Sequence, residues 1–335
     1  MRPGRGGRVG DGRTRPVFAK GRALDIPSPA QASPAQPSPV LAPDMPDWLA
    51  AVLDETPETL RVDADGGAVE LLVWGERGRP GLFLLHGAGA HAHWWDGVAP
   101  LLARTHRVAA MSLPGNGGSD WRARYSSADF FEAALACVEA AGLAEAGKPV
   151  FVGHSMGGAH LMHGAVHAPE AMRALVLLDT SFRSPRGGAP PDQASGLTPT
   201  RRIYASEAEA LERFKLAPPG PARVPALVTH AARHALTATV GPDGAAGWCW
   251  RADPAYWSRF EPGVEQGPYA APLQPRVPTV HMIADQSHVA AAAANLPHGE
   301  EVVRLSLPEC GHHVMLDRPL ELVAALRALL AVWPR

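Results

Sequence analysis

The feature that most restricts the fold is a rhythm. From Met45 onward, short and continuously apolar runs alternate with helical patterns. The runs read VELLVW (69–74), LFLL (82–85), RVAAM (107–111), VFVG (150–153), ALVLL (174–178), PTVHMI (278–283) and EVVRL (301–305). Helical patterns fall at about 94–103, 127–142, 156–168 and 319–333. A strand with no polar face has to be covered on both sides, which is the signature of a parallel sheet. The alternation therefore predicts an α/β fold with a mostly parallel, doubly wound sheet. Ligands bind such sheets outside the carboxyl ends of the strands. The residues that follow each run are the ones that matter for function.

Two stretches break the rhythm. Residues 1–46 carry nine prolines among Ala, Ser, Gln and Gly. Such a segment buries too little apolar surface to offset its ordering entropy, so a disordered tail is expected. Its arginines allow a tether to an anionic surface, a tail without function is the plainer reading, and a translation start at Met45 is the third. From 181 to 275 strand runs disappear, and helical segments (207–216, 224–238) and aromatics (Trp248, Trp250, Tyr256, Trp257, Phe260) take over. Lying between two predicted strands, 181–275 is expected to be a helical cap. It would be inserted in a core made of 47–180 and 276–335.

The sharpest local signal is VFVGHSMGG, where an apolar strand runs into a serine flanked by glycines. A strand, this turn and a following helix are the setting of a nucleophile elbow. The turn forces the serine into an unfavourable backbone conformation and presents its oxygen at a helix N-terminus, where negative charge is favoured. A purely structural turn is built more easily with Gly or Asn at position 155. Ser155 is therefore the candidate nucleophile, and the N–H of Met156 the candidate oxyanion donor. A hydroxyl needs a base at neutral pH. Among 15 histidines the best placed lie in PECGHHVMLDRP (308–319), between the last strand and the last helix, where His312 and His313 compete. The base in turn needs a carboxylate to fix its tautomer.

In this order, from about residue 60 to 335, the motifs resemble the α/β-hydrolase superfamily. GWCWRADPAYWSRF and the C-terminal GHHVMLDRPLELVAALRALL look similar to bacterial members described as hydrolases or esterases. The resemblance implies that His312, which follows Gly311 and precedes Pro319 by six intervening residues, is the base, with His313 a packed neighbour. It usually places the acid in a G-x-x-D loop after the strand at 278–283. Here that loop reads Ala284-Asp285-Gln286-Ser287, and Ser287 stands at the acid position. Some relatives, haloalkane dehalogenases among them, carry the acid at the end of the preceding strand, where this chain has Asp179. Asp179 is favoured, with Asp285 the alternative. The resemblance also implies a second oxyanion donor at Ala88, after His86-Gly87, and a structural role for LPGNGGSDW (113–121). It implies no cofactor. His91 and His93 raise the thought of a metal, but hydrolases of this kind need none, and no acidic residue joins them before Asp96. Cys310 reads as a small buried hydrophobe.

Composition narrows the partners. A net charge of -2 and a pI near 6.7 give no whole-chain reason to expect nucleic acid or a membrane surface. Cys137, Cys249 and Cys310 form no CxxC pair, which argues against a disulfide framework or a zinc site. No apolar run reaches the ~18 residues of a membrane span, and no apolar leader follows the N-terminal arginines; the expected location is cytoplasmic. The resemblance excludes halide displacement and epoxide opening, which use a carboxylate at the elbow. The expected reaction is hydrolysis of a small carboxylic ester or lactone through an acyl-enzyme, with an apolar part under the aromatic cap. C–C bond hydrolysis of a diketone by the same triad is the enzymatic alternative. A small-molecule receptor is the non-enzymatic one.

Overall fold

The structure, a computed structural model, describes residues 45–181, 201–260, 274–293 and 302–333. The expectation for the N-terminal tail falls outside these residues, apart from Met45 and Pro46. In chain order the elements begin with α1 (Asp47–Leu53), β1 (Glu58–Ala64), β2 (Gly67–Trp74), β3 (Gly81–Leu85), α2 (Ala99–Ala103) and β4 (Arg107–Met111). Then come α3 (Ser127–Ala140), β5 (Val150–His154), α4 (Met156–His167) and β6 (Ala174–Leu178). After β6 the chain forms α5 (Glu207–Glu212), α6 (Pro225–His234), β7 (Leu236–Val240) and β8 (Ala246–Trp250). It closes with β9 (Thr279–Ala284), α7 (His288–Ala293), β10 (Val302–Leu307), α8 (Val314–Asp317) and α9 (Pro319–Val332).

Eight strands form one sheet in the order β1-β2-β4-β3-β5-β6-β9-β10. From β4 to β10 neighbouring strands are parallel; β1 and β2 are antiparallel to their neighbours. Alternate side chains feed two separate cores. Leu82, Leu84, Val150, Val152, Val176 and Leu178 face the side covered by α2 and α9. Phe83, Leu85, Phe151, Leu175 and Leu177 face the side covered by α3 and α4. Both faces are dry along β3, β5 and β6, so the runs there are apolar at every position. The strand β1 escaped the sequence reading because it lies at an edge and alternates polar with apolar residues. Its register with β2 is closed by Asp65-Gly66, with Gly66 at φ +88°, a dipeptide typical of tight hairpins.

The described part of the segment between β6 and β9 is less purely helical than expected. β7 and β8 form a two-stranded antiparallel hairpin where helix or no regular element was read. The signal was present in Thr237 and Thr239 and in the Gly-Pro-Asp-Gly turn at 241–244. It was masked by the alanine-rich helix α6, whose pattern runs on into Leu236.

This insertion is tied by polar contacts to loops at the carboxyl edge of the sheet. Buried Asp253 accepts hydrogen bonds from the Tyr125 hydroxyl (2.6 Å) and Arg259 (2.7 Å), and its N–H donates to the Gly115 carbonyl (2.8 Å). Arg223 donates to both oxygens of buried Asp317 (2.9 and 2.8 Å), which also accepts the Gly311 N–H (2.8 Å). His230 donates to Asp96 in the loop after β3 (2.7 Å). Removing one member of such a buried set leaves the others unpaired. Asp253→Ala is expected to lower stability by about 2 to 3 kcal/mol. Urea unfolding of the full chain measures this, and a loss below 0.5 kcal/mol, about the size of a surface change, would refute it.

Candidate active site

β5 ends at His154 and α4 begins at Met156, so the entire turn between strand and helix is Ser155. Its φ of 51° and ψ of -123° lie outside the ordinary regions for a residue with a side chain. Such a conformation costs about 1 to 3 kcal/mol and persists only when its surroundings enforce it. Here they do. A Cβ on Gly153 would stand 2.5 Å from the Gly158 Cα, and one on Gly157 would stand 2.3 Å from the His86 carbonyl oxygen. Strand, helix and the loop after β3 therefore touch backbone to backbone, and the Ser155 N–H donates to the Leu178 carbonyl (2.9 Å). The Ser155 side chain stays partly accessible among buried neighbours.

The structure brings His312 to this serine. His312 Nε2 lies 3.0 Å from Ser155 Oγ, and His312 Nδ1 lies 2.6 Å from Asp179 Oδ2. A carboxylate only accepts, so Nδ1 carries the proton and Nε2 presents its lone pair to the serine hydroxyl. Asp179 is completely buried and, like Ser155, has a positive φ (45°). Its other oxygen, Oδ1, accepts the Ala284 N–H (3.0 Å) and the Ser287 hydroxyl (2.9 Å). Asp285 is not brought to the histidine. It is exposed, and its carboxylate accepts the Cys310 N–H (3.1 Å). The physical reason is register: Asp285 points off the end of β9 toward the loop after β10, while Ser287 turns inward.

Burial makes both partners resist charge. It pushes Asp179 up to about 6, against the pull of the Ala284 and Ser287 hydrogen bonds. It lowers His312 well below its usual value, helped by neighbouring His313 and His288. Above pH 6 the arrangement is thus a carboxylate facing a neutral imidazole. That is the protonation state of a histidine able to accept a proton from Ser155.

Sequence reasoning missed three supporting residues. Ser287 binds Asp179 and also caps α7, its hydroxyl accepting the Val289 and Ala290 N–H groups (3.1 and 3.2 Å). Its position in the usual acid loop was the signal. His154 donates from Nε2 to the His312 carbonyl (2.8 Å), fixing the backbone of that histidine. His86 donates from Nδ1 to the Gly87 carbonyl (2.7 Å) and accepts the Leu113 N–H at Nε2 (2.8 Å), which pins the loop after β3 to the turn after β4. That turn is the LPGNGGSDW stretch. His313, the rejected candidate, donates to the Pro218 carbonyl of the insertion (3.0 Å).

The two expected oxyanion donors flank the serine. Met156 occupies the first helical position of α4, where an N–H has no partner within the helix. Ala88 is exposed beside Gly87, where an added Cβ would stand 3.0 Å from the Ser155 Cβ. Of the histidines after β3, His91 donates to the Ala231 carbonyl (3.0 Å) while His93 meets Asp96 (2.8 Å).

A family model described as "Alpha/beta hydrolase family" matches residues 82–326. The esterase Rv0045c of Mycobacterium tuberculosis is 34% identical over 132 residues, 39% of this chain and 42% of that protein. The chain thus spans less than half the length of that relative. Its solved structure superposes with a TM-score of 0.61 at 23% identity, covering 85% of this chain and 97% of the other. The lipase LipV of the same organism is 27% identical over 261 residues, 77% of this chain and 95% of that protein. A thioesterase domain from the curacin biosynthetic pathway has a TM-score of 0.61 at 22% identity, covering 83% and 100%.

A hydrogen bond of 2.6 Å between a buried imidazole and a carboxylate shifts its proton resonance far downfield. In proton NMR of the full chain at neutral pH, Asp179→Asn is expected to abolish that His312 resonance and Asp285→Asn to keep it. Loss in the second variant alone would overturn the pairing.

Proposed function

Because the chain belongs to the alpha/beta hydrolase family, we propose that it hydrolyses carboxylic esters through an acyl-enzyme formed on Ser155. The observation that carries this reading is the continuous hydrogen-bonded line from Asp179 through His312 to Ser155, at 2.6 and 3.0 Å. In this reading Ser155 Oγ attacks the ester carbonyl as its proton passes to His312 Nε2. Asp179 holds the Nδ1–H and stabilises the imidazolium that forms. The Met156 and Ala88 N–H groups receive the oxyanion, a contribution of about 10²- to 10³-fold per donor. The tetrahedral intermediate collapses when Nε2–H delivers its proton to the departing alcohol. Water then attacks the acyl-serine with Nε2 as base, the acid leaves, and Ser155 is regenerated.

The insertion acts as a cap in this reading. It meets the loops that carry Ala88 and His312, so its residues bound the space above the serine. Kinship with an esterase and a lipase supports ester substrates over other carbonyl compounds. Among the described residues no helix is long and apolar enough to cross a membrane.

Fluorophosphonate labelling followed by peptide mass spectrometry tests the nucleophile. The adduct is expected on Ser155, and Ser155→Ala is expected to lower kcat on p-nitrophenyl esters by at least about 10⁴-fold. Full activity in that variant sinks the reading. Asp179→Asn should cost about 10³- to 10⁴-fold in kcat, while Asp285→Asn stays within about twofold, as for an exposed surface change. The pH profile has a definite sign. The base works only while Nε2 is free, and the Asp179–His312 pair takes up a proton below about pH 6. The ratio kcat/KM is therefore expected to be flat near neutrality and to fall on the acid side. A profile that rises on acidification would exclude His312 as the base.

A further inference from the structure

One cluster of side chains has no part in that chemistry. On α6, His230 and His234 are four residues apart and share a helix face. His93 and Asp96 are three apart across the short 3-10 turn after β3. The two pairs face one another, and one ligand atom from each of the four lies within 4.8 Å of all the others. Asp96 Oδ2 accepts from His93 Nδ1 (2.8 Å) and from His230 Nε2 (2.7 Å). His234 stacks on His93 with ring centres 3.9 Å apart.

We propose that His93, Asp96, His230 and His234 form a binding site for one late first-row divalent cation of the Zn2+ class. Three imidazoles and one carboxylate are the donor set that such ions take in four-coordinate sites. The hydrogen bonding of His234 suits such an ion. His234 Nδ1 donates to the His230 carbonyl (3.0 Å), which leaves Nε2 with its lone pair, the outer-sphere bond that orients metal-binding histidines. His91 is not among the residues whose ligand atoms converge.

Without a cation the cluster is an awkward one. Asp96 Oδ1 is buried with no hydrogen-bond partner. A divalent ion replaces the shared protons, takes the spare carboxylate oxygen into its field and relieves the crowding of three imidazoles. The present spacings of 2.7 and 2.8 Å need to open to about 3.3 Å, the ligand separation of a tetrahedral ion with bonds near 2.0–2.1 Å. Partial exposure of His93 and His230 (18 and 21%) gives the ion a way in. Once bound, it joins α6 of the insertion to the loop that carries Ala88, a link independent of the Ser155 chemistry.

The test uses the full chain, stripped with a chelator and titrated with Co2+ and Zn2+. One equivalent of Co2+ should give the visible absorption of a four-coordinate nitrogen–oxygen site, and Zn2+ should displace it and raise the thermal midpoint. His234→Gln removes one ligand while leaving the Asp96 hydrogen bonds in place, and Asp96→Asn removes the charge. Each should weaken binding at least about 100-fold, beyond the 10- to 100-fold cost of losing an outer-sphere partner. Ser155→Ala should bind as the parent does, so failure of the esterase reading leaves this result intact. No stoichiometric absorption in the parent overturns the proposal. So does undiminished binding in both ligand variants, or loss of binding in His313→Gln alone, which would put the ion on the second histidine cluster at His154, His312 and His313.

Discussion

The site depends on one buried carboxylate. Asp179 is fully enclosed, sits at a positive φ and makes three hydrogen bonds, to His312, to the Ala284 N–H and to the Ser287 hydroxyl. Taking a carboxylate out of water is costly unless it is well hydrogen-bonded. These bonds meet that demand by drawing on three separate pieces of chain: the end of β6, the loop from β9 into α7, and the loop after β10. The same carboxylate that orients His312 also fixes where those loops end. Energetic need and positional accuracy are satisfied by one arrangement.

Around it, strain is concentrated where it is useful. Ser155 and Asp179, neighbours across the ends of β5 and β6, are two of three non-glycine residues with positive φ among the described residues. Both are held there by dense surroundings. The glycines of the turn admit backbone contacts that no side chain would permit, and the parallel strands fix the spacing of the two loops. A strained residue is affordable when a well-packed sheet of eight strands stands behind it. The insertion is secured by ion pairs and hydrogen bonds at Asp253, Asp317 and Asp96, and by Leu227 and Tyr256, which join the two cores.

Much of this was legible along the chain. The seven runs coincide with sheet strands, most plainly at β3, β5 and β6, where the lack of a polar face has a single structural solution. By contrast, β10 at the sheet edge is largely exposed. The elbow was legible because a serine between glycines at a strand's end has few other uses. The choice of Asp179 over Asp285 rested on likeness to particular relatives, and no property of the two residues in sequence separates them. What separates them is that Ser287 turns inward and supplies a hydrogen bond, while Asp285 faces water. The hairpin β7–β8 was obscured by an alanine-rich neighbour, and β1 by the mixed polarity of an edge.

The sequence by itself thus determined the layering of the fold and the location of the serine, because periodicity and turn chemistry are local properties carried by adjacent residues. The tertiary structure alone decided which histidine meets that serine, which carboxylate meets that histidine, and that His93 and Asp96 face His230 and His234. These partners lie 157, 133 and 134 positions apart. Their meeting is set by the order of strands in the sheet and by the path of the insertion over it. Neither is encoded in any short stretch, because each follows from how the two cores close around the sheet.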